Sequence, residues 1–269
     1  MKKLATALVS AAAIMTMSTT AFAAENPAEV FDRVMEKNNT IQSAEIQSGV
    51  HSVILAKDVI PDGQMKVDMA MHAEMDMQDT TDLKYLAQVA SSILGQDSYS
   101  QVFYTDGYYY VDANGVKLKY PMPLEQIISS VQTGVNTSNM ESSYMKGISL
   151  NEVNGKRVLA YEANPKKLNK NVKEALGIVM NTLGTDVNLD MNIQEMKGAY
   201  VLDDNDYIIY MTNYIVYNME VLDQPMTCIT LMETEVQNPG EPVVVTLPST
   251  DGYEDLIGLY DGVIESEVE

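Results

Sequence analysis

Between residues 65 and 77 apolar and polar side chains take turns. Met65, Val67, Met69, Met71, Met75 and Met77 share one parity, and Lys66, Asp68, His72, Glu74 and Asp76 share the other, with Ala70 and Ala73 the only blurs. Successive side chains of a strand point to opposite faces. The pattern therefore predicts one long antiparallel strand with a buried face and a wet face. The inner face is mostly methionine, whose unbranched, polarizable side chain moulds itself to irregular apolar shapes. A later strand supplies a matching set: Ile209, Met211, Ile215, Tyr217 and Met219. These eleven residues are the candidate lining of a ligand site.

Other elements follow from turn and cap chemistry. Asn26-Pro27-Ala28-Glu29 predicts a helix start, with a stripe of Val30, Phe31, Val34 and Met35 behind it. A strand is expected from about Ile41 to Val59, closed by the turn Ile60-Pro61-Asp62-Gly63. Asp82 reads as the cap of a second helix with stripe Leu83, Leu86, Val89, Ala90 and Ile93, stopped by Gly95. Hairpins are expected at Asp106-Gly107, at Asn114-Gly115 and at Asn154-Gly155. Pro123 and Asn164-Pro165 open a third and a fourth helix. Beyond Val187 the chain reads as strands, including Tyr207–Leu222, Met226–Val236 and a short Val243–Leu247, before an acidic, frayed end.

Strands outnumber helices and hairpins link neighbours. The expected class is α+β, a large antiparallel sheet with helices on one face. No linker composition divides the chain, so one domain is expected over 24–269.

Residues 1–23 read as a signal peptide. Lys2 and Lys3 precede the apolar stretch Leu4–Met17, and Ala21-Phe22-Ala23 forms the cleavage site. The formal net charge is −21, and removing that segment makes the rest more acidic still. Such a surface repels nucleic acid and anionic membranes. The single cysteine, Cys228, cannot form an intramolecular disulfide and reads as a small buried residue of its strand.

Three phrases carry a family resemblance: Tyr104-Thr105-Asp106-Gly107-Tyr108-Tyr109-Tyr110-Val111, Asn114-Gly115-Val116-Lys117-Leu118-Lys119-Tyr120-Pro121-Met122, and Asn238-Pro239-Gly240-Glu241-Pro242. With the general layout, they resemble Firmicutes members of the LolA/LppX-like superfamily of exported lipid-binding proteins. That resemblance implies a curved antiparallel half-barrel whose concave face is covered by helices and holds acyl chains. Many members carry a lipobox cysteine. This chain has Ala21-Phe22-Ala23 there instead, so lipid anchoring is not carried over.

Catalytic signatures are thin. His72, Glu74 and Asp76 share a strand face, but a solvated face is the plainer reading. Asp203-Asp204-Asn205-Asp206 starts like a calcium loop, yet lacks its central glycine and closing glutamate. No Gly-x-Ser-x-Gly, His-Glu-x-x-His or phosphate loop occurs. The expected function is a non-enzymatic carrier or sensor, without cofactor or metal, for a lipid or acylated ligand held between sheet and helices. The alternative is an envelope or surface interaction module with a filled core. A monomer is expected, exported and not stably inserted in a membrane.

Export gives the first prediction. Intact mass of secreted protein should place the mature start at Ala24 with no lipid attached. A retained N-terminus or an added diacylglycerol would contradict it.

Overall fold

The computed structural model describes residues 25–56, 60–79, 83–123, 140–170, 191–221 and 224–256. In chain order they form α1 (Pro27–Asn38), β1 (Ser43–Leu55), β2 (Gln64–Asp76), β3 (Lys84–Ile93), β4 (Gln96–Thr105), β5 (Tyr108–Ala113) and β6 (Val116–Pro121). Then follow β7 (Met145–Val153), β8 (Lys156–Ala163), a helix α2 at 165–170, β9 (Asn192–Leu202), β10 (Ile208–Val221), β11 (Gln224–Gln237) and β12 (Glu254–Asp255). The twelve strands pair in the order β12-β6-β5-β4-β3-β2-β1-β11-β10-β9-β8-β7. Every assigned register is antiparallel except the two-residue β12–β6 pairing. The α+β class with one large antiparallel sheet is the one expected.

Hairpin chemistry explains the ladder. Leu94-Gly95, Asp106-Gly107, Asn114-Gly115 and Asn154-Gly155 all have positive φ at both residues, as two-residue turns that match strand twist require. The first of these is a correction. The expected cap, Asp82, lies outside the described residues, and 84–93 is strand and not helix: β3 pairs with β4 over nine positions, from Tyr85↔Tyr104 to Ile93↔Gln96. Gly95 was expected as a helix stop because both a helix end and this hairpin turn need a left-handed glycine. Pairing with β4 decided between them.

The third expected helix, Pro123 onward, falls on 124–139, outside the described residues, as do the fourth helix beyond residue 170, residues 187–190, the signal segment and the end from 257. Val243–Leu247 is a second correction. It makes no ladder, and instead packs Val243, Val245 and Leu247 against Leu86, Phe103 and Tyr110.

Residue contacts divide the chain into two units, whose bounds fall inside β1, β2 and β11. The first takes its described residues from Met1–Asn38, Gly49–Asp68 and Ser138–Glu235. Its core is α1 on the sheet. The Asn26 side-chain oxygen accepts the Ala28 N–H at 3.1 Å, and the expected stripe Val30, Phe31, Val34 and Met35 is buried against Leu150, Leu159, Tyr161, Tyr200, Leu202 and Ile208. Asp32 accepts both the N–H and the hydroxyl of Ser142 at 2.7 Å. At the helix C-terminus Asn38 Oδ1 accepts the Ile208 N–H at 2.9 Å, and Lys37 donates to the Asn205 carbonyl.

A glycine permits the central polar bond of this unit. Tyr161, Gly198 and Asn213 are register partners on β8, β9 and β10. The Tyr161 hydroxyl passes over Gly198 and donates to the buried Asn213 side-chain oxygen. A Cβ at Gly198 would stand 2.5 Å from the Thr212 carbonyl and 2.8 Å from the Tyr161 hydroxyl. Neither neighbour can give way, since one is backbone and the other is buried.

The turn 203–206 is a polar turn. Asp203 Oδ1 accepts the N–H groups of Asn205 and Tyr207, at 2.9 and 2.8 Å. Asp206 accepts from Arg33 at 2.9 Å and from Arg157. Burial pushes its carboxyl up, but the Arg33 hydrogen bond and both guanidinium charges outweigh that and hold it below the usual range.

The second unit takes its described residues from Asn39–Ser48, Met69–Thr137 and Val236–Glu269. It has an apolar cluster on each face of the sheet. One gathers Ala44, Ile46, Ala73, Met75, Met77, Leu83, Ala87, Tyr104 and Val236. The other is roofed by the chain after β11. Phe103 and Tyr110 stack at 4.6 Å, and Tyr253 stands edge-on to both. Ser43 anchors this roof, its carbonyl accepting the Gly240 N–H at 2.8 Å and its hydroxyl the Val243 N–H at 3.1 Å.

Two outcomes are expected. Gly198→Ala should cost about 2–4 kcal/mol in chemical denaturation, whereas Gly147→Ala, where no heavy atom lies within 4 Å of the new Cβ, should change stability by less than about 0.5 kcal/mol. Asp206 has a depressed folded value, so its contribution is present above the unfolded carboxylate range near ~3.9 and is lost as pH falls through the folded value. Asp206→Asn should therefore be less stable than the parent at neutral pH, with the gap closing in acid. A gap independent of pH would show that ionisation of Asp206 plays no part.

Candidate functional site

Consecutive two-residue turns carry a residue across the sheet by arithmetic. The turn at 94–95 pairs Tyr85 with Tyr104, the turn at 106–107 pairs Tyr104 with Tyr109, and the turn at 114–115 pairs Tyr109 with Tyr120. Four tyrosines thus form one row over β3, β4, β5 and β6. The next row on the same face is Ala87, Val102, Val111 and Leu118, and the one after it Val89, Ser100, Ala113 and Val116. Tyr104 and Ala87 are buried with Ala73, Met75 and Met77, while Tyr85, Val102, Tyr109, Met71, Met122 and Ile41 pack against them half-buried.

Among the described strand residues this face carries no charge. At the sixteen positions of β3–β6 that share its parity the residues are Tyr, Ala, Val, Ser, Ile, Gln and Leu only. Lys84, Asp97, Asp112, Lys117 and Lys119 all alternate to the other face. The β1 and β2 residues that join the cluster, Ala44, Ile46, Met71, Ala73 and Met75, are also uncharged.

The polarity that remains is phenolic. Burial first, then the neighbouring Tyr85 and Tyr120, push the Tyr109 hydroxyl up to about 12. Burial also raises Tyr85 and Tyr120. All three phenols therefore stay protonated at neutral pH and act as donors. The rings of Tyr109 and Tyr120 lie 5.5 Å apart, tilted by 50°. The Tyr104 hydroxyl donates to the Met122 carbonyl at 3.3 Å. Among the described residues, none hydrogen-bonds the hydroxyls of Tyr85, Tyr109 or Tyr120.

The eleven residues singled out in the sequence fall into both units. In the second, Met75 and Met77 are buried and Met71 is half-buried, all in the cluster with Tyr104. Met69 shares the parity of Met71 but is left 39% exposed. In the first unit Met65 and Val67 are half-buried. Met211 packs under α1, and Ile215 and Tyr217 pack with Leu168 of α2. Ile209 sits at an irregularity of the β9–β10 register. Met219 accepts the Cys228 thiol at 3.7 Å, and that buried thiol is pushed up by its burial.

All four row members, Tyr85, Tyr104, Tyr109 and Tyr120, are absent from that set. Reading Leu94-Gly95 as a hairpin turn would have found Tyr85, because the turn arithmetic then extends the row by one strand.

The polar parity of β2 makes no metal centre. His72 Nε2 lies 3.1 Å from Glu74 and Nδ1 3.8 Å from Glu45, while Asp76 accepts the Gln78 N–H at 3.2 Å. Among the described residues no group of three or more His, Cys, Asp and Glu is arranged to hold a metal ion. Nor is any described helix long and apolar enough to cross a membrane.

Among solved structures the chain is similar to LprF from Mycobacterium bovis, at 10% identity over 83% of this chain and 97% of that one, with a TM-score of 0.35. It is also similar to a beta-barrel-like protein of domain of unknown function DUF1849 from Brucella abortus, at 12% identity over 74% and 100% of the two chains, TM-score 0.24. DynF, from the dynemicin biosynthesis pathway of Micromonospora chersina, matches at 6% identity over 74% and 82%, TM-score 0.22. No curated protein matches. The model of the family of unknown function DUF6612 matches residues 26–248, and the chain belongs to that family.

Proposed function

We propose that this is an exported, non-enzymatic binding protein for a lipid or other apolar ligand, and that the ligand lies on the methionine–tyrosine face of the second unit. The observation that carries the reading is a half-buried, charge-free face on neighbouring strands, with Met71, Val102, Tyr85 and Tyr109 only partly covered. Methionine lets such a surface adapt to chains of different shape. Each methylene buried there contributes about 0.8 kcal/mol. A chain of about ten methylenes thus supplies about 8 kcal/mol, the size of a micromolar affinity before the cost of association is subtracted.

The other reading, an interaction module with a filled core, is favoured by the first unit. There α1 covers the sheet, with Phe31 and Val34 fully buried and Phe31 edge-on to Tyr161 at 5.8 Å. Met211, Ile215 and Tyr217 are already packed against helices. They are therefore core residues in this proposal, and the ligand face narrows to the second unit.

Displacement of an environment-sensitive apolar dye by long-chain amphiphiles tests the proposal. The delipidated parent should bind the dye saturably, with about one equivalent. Met71→Glu places a carboxylate on the charge-free face and should weaken binding by tenfold or more, about 1.4 kcal/mol, in a variant that still unfolds cooperatively. Absence of saturable binding in a folded parent would leave the filled-core module as the better account.

A further inference from the structure

The tyrosine row says more about the ligand than that it is apolar. Resting on the reading just proposed, we infer that the ligand is a neutral acylglycerol, whose ester and hydroxyl oxygens accept hydrogen bonds from Tyr85, Tyr109 and Tyr120. The chain has 38 acidic and 17 basic residues, yet none occupies the sixteen positions of this face on β3–β6. A phosphate or carboxylate head would meet no Lys or Arg there, and an ammonium head would meet no carboxylate. Either would be a charge desolvated without a partner, which is the costliest thing such a surface can hold.

Phenols reverse the preference for a neutral head. They are protonated, and they project from strands spaced about 4.8 Å apart. A polar atom held against an apolar face needs a hydrogen-bond partner. Three donors in one row, on β3, β5 and β6, suit a head with several acceptors and few donors of its own. Ester carbonyls on a glycerol fit that count. A sugar fits worse, because its many hydroxyl donors would find few acceptors among Ser, Gln and tyrosine oxygens. Tyr104 stands apart, its hydroxyl already committed to the Met122 carbonyl.

Dye displacement with C12 amphiphiles of one tail length separates the cases: monolauroylglycerol, laurate, dodecyltrimethylammonium and dodecyl maltoside. Monolauroylglycerol should bind at least about tenfold tighter than either charged amphiphile, and tighter than the maltoside. Substituting Tyr85, Tyr109 and Tyr120 together by Phe should shrink that preference below about threefold. Dye binding itself should persist. Single Tyr109→Phe, which deletes one hydroxyl and keeps the ring, should give an intermediate preference and guards against loss of fold in the triple variant. Laurate or dodecyltrimethylammonium binding as tightly as the monoglyceride would overturn the inference while leaving apolar binding intact, and so would a tighter maltoside or a preference unmoved by either variant. Failure of every amphiphile to displace dye would instead strike at the binding reading beneath it.

Discussion

The candidate site depends on one backbone constraint, the left-handed two-residue turn. A hairpin closed at Leu94-Gly95, Asp106-Gly107 or Asn114-Gly115 leaves no freedom of register, because both central residues have positive φ and the strands must start pairing at the flanking positions. Three such turns in succession fix four strands against one another. The period of two then decides which side chains share a face. One residue inserted in any of these strands would send its tyrosine to the opposite face, among Phe103, Tyr110 and Lys119. The row is therefore a consequence of turn chemistry, and the tyrosines need no direct bond to one another to hold it.

The two units solve the problem of a sheet with two apolar faces differently. In the first, a helix with a four-residue stripe closes one face, and a glycine lets Tyr161 reach Asn213 across an intervening strand. A buried side-chain amide without that partner would be a costly orphan. The arrangement is tight, with a stacked pair in Tyr161 and Tyr200 at 5.2 Å. In the second unit one face is roofed by extended chain, with Tyr253 and Val245 on Phe103 and Tyr110. The face opposite, with the tyrosine row, keeps several residues half-buried around a buried methionine centre.

Local signals carried most of the fold. The cap at Asn26, the stripe behind it, the turns at 106–107, 114–115 and 154–155, and the alternation of β2 all stand where the pattern placed them. Residues 82–95 misled because β3 packs apolar residues on both faces, so Leu83, Leu86, Val89, Ala90 and Ile93 show a helical period and no alternation, and a left-handed Gly95 ends either element. Only the pairing with β4 separates the two, and pairing is not a local property. Val243–Leu247 failed for a similar reason: alternation and β-branched residues suit any extended segment, with or without a ladder partner. The site was half legible. Met71, Met75 and Met77 were visible in the alternation, Tyr85 was hidden by the helix assignment, and Met69 was misjudged because alternation gives a side chain's direction and not what covers it.

Charge distribution ties these threads to function. An acidic chain of this composition has charge in plenty, and random placement over sixteen strand positions, five of them exposed, would put some there. Solubility alone explains why charges gather on wet surfaces. It does not explain their absence from β3–β6 on the tyrosine face, since the opposite face of the same four strands packs just as large an aromatic cluster and still carries Lys84, Asp97, Asp112, Lys117 and Lys119. There the long lysine stems bend over aromatic rings, with Lys117 above Tyr253 and Lys119 above Tyr108 at 5.3 Å each, so a charge and an aromatic cluster coexist without difficulty. Both faces carry phenols, with Tyr99, Tyr108 and Tyr110 on the charged one, so what sets the tyrosine face apart is the lack of charge at its strand positions. Phenols therefore do not separate a filled cluster from an open one, and charge does: a face free of charge on its strands suits the proposed apolar ligand with an uncharged head, because no ion there has to be desolvated.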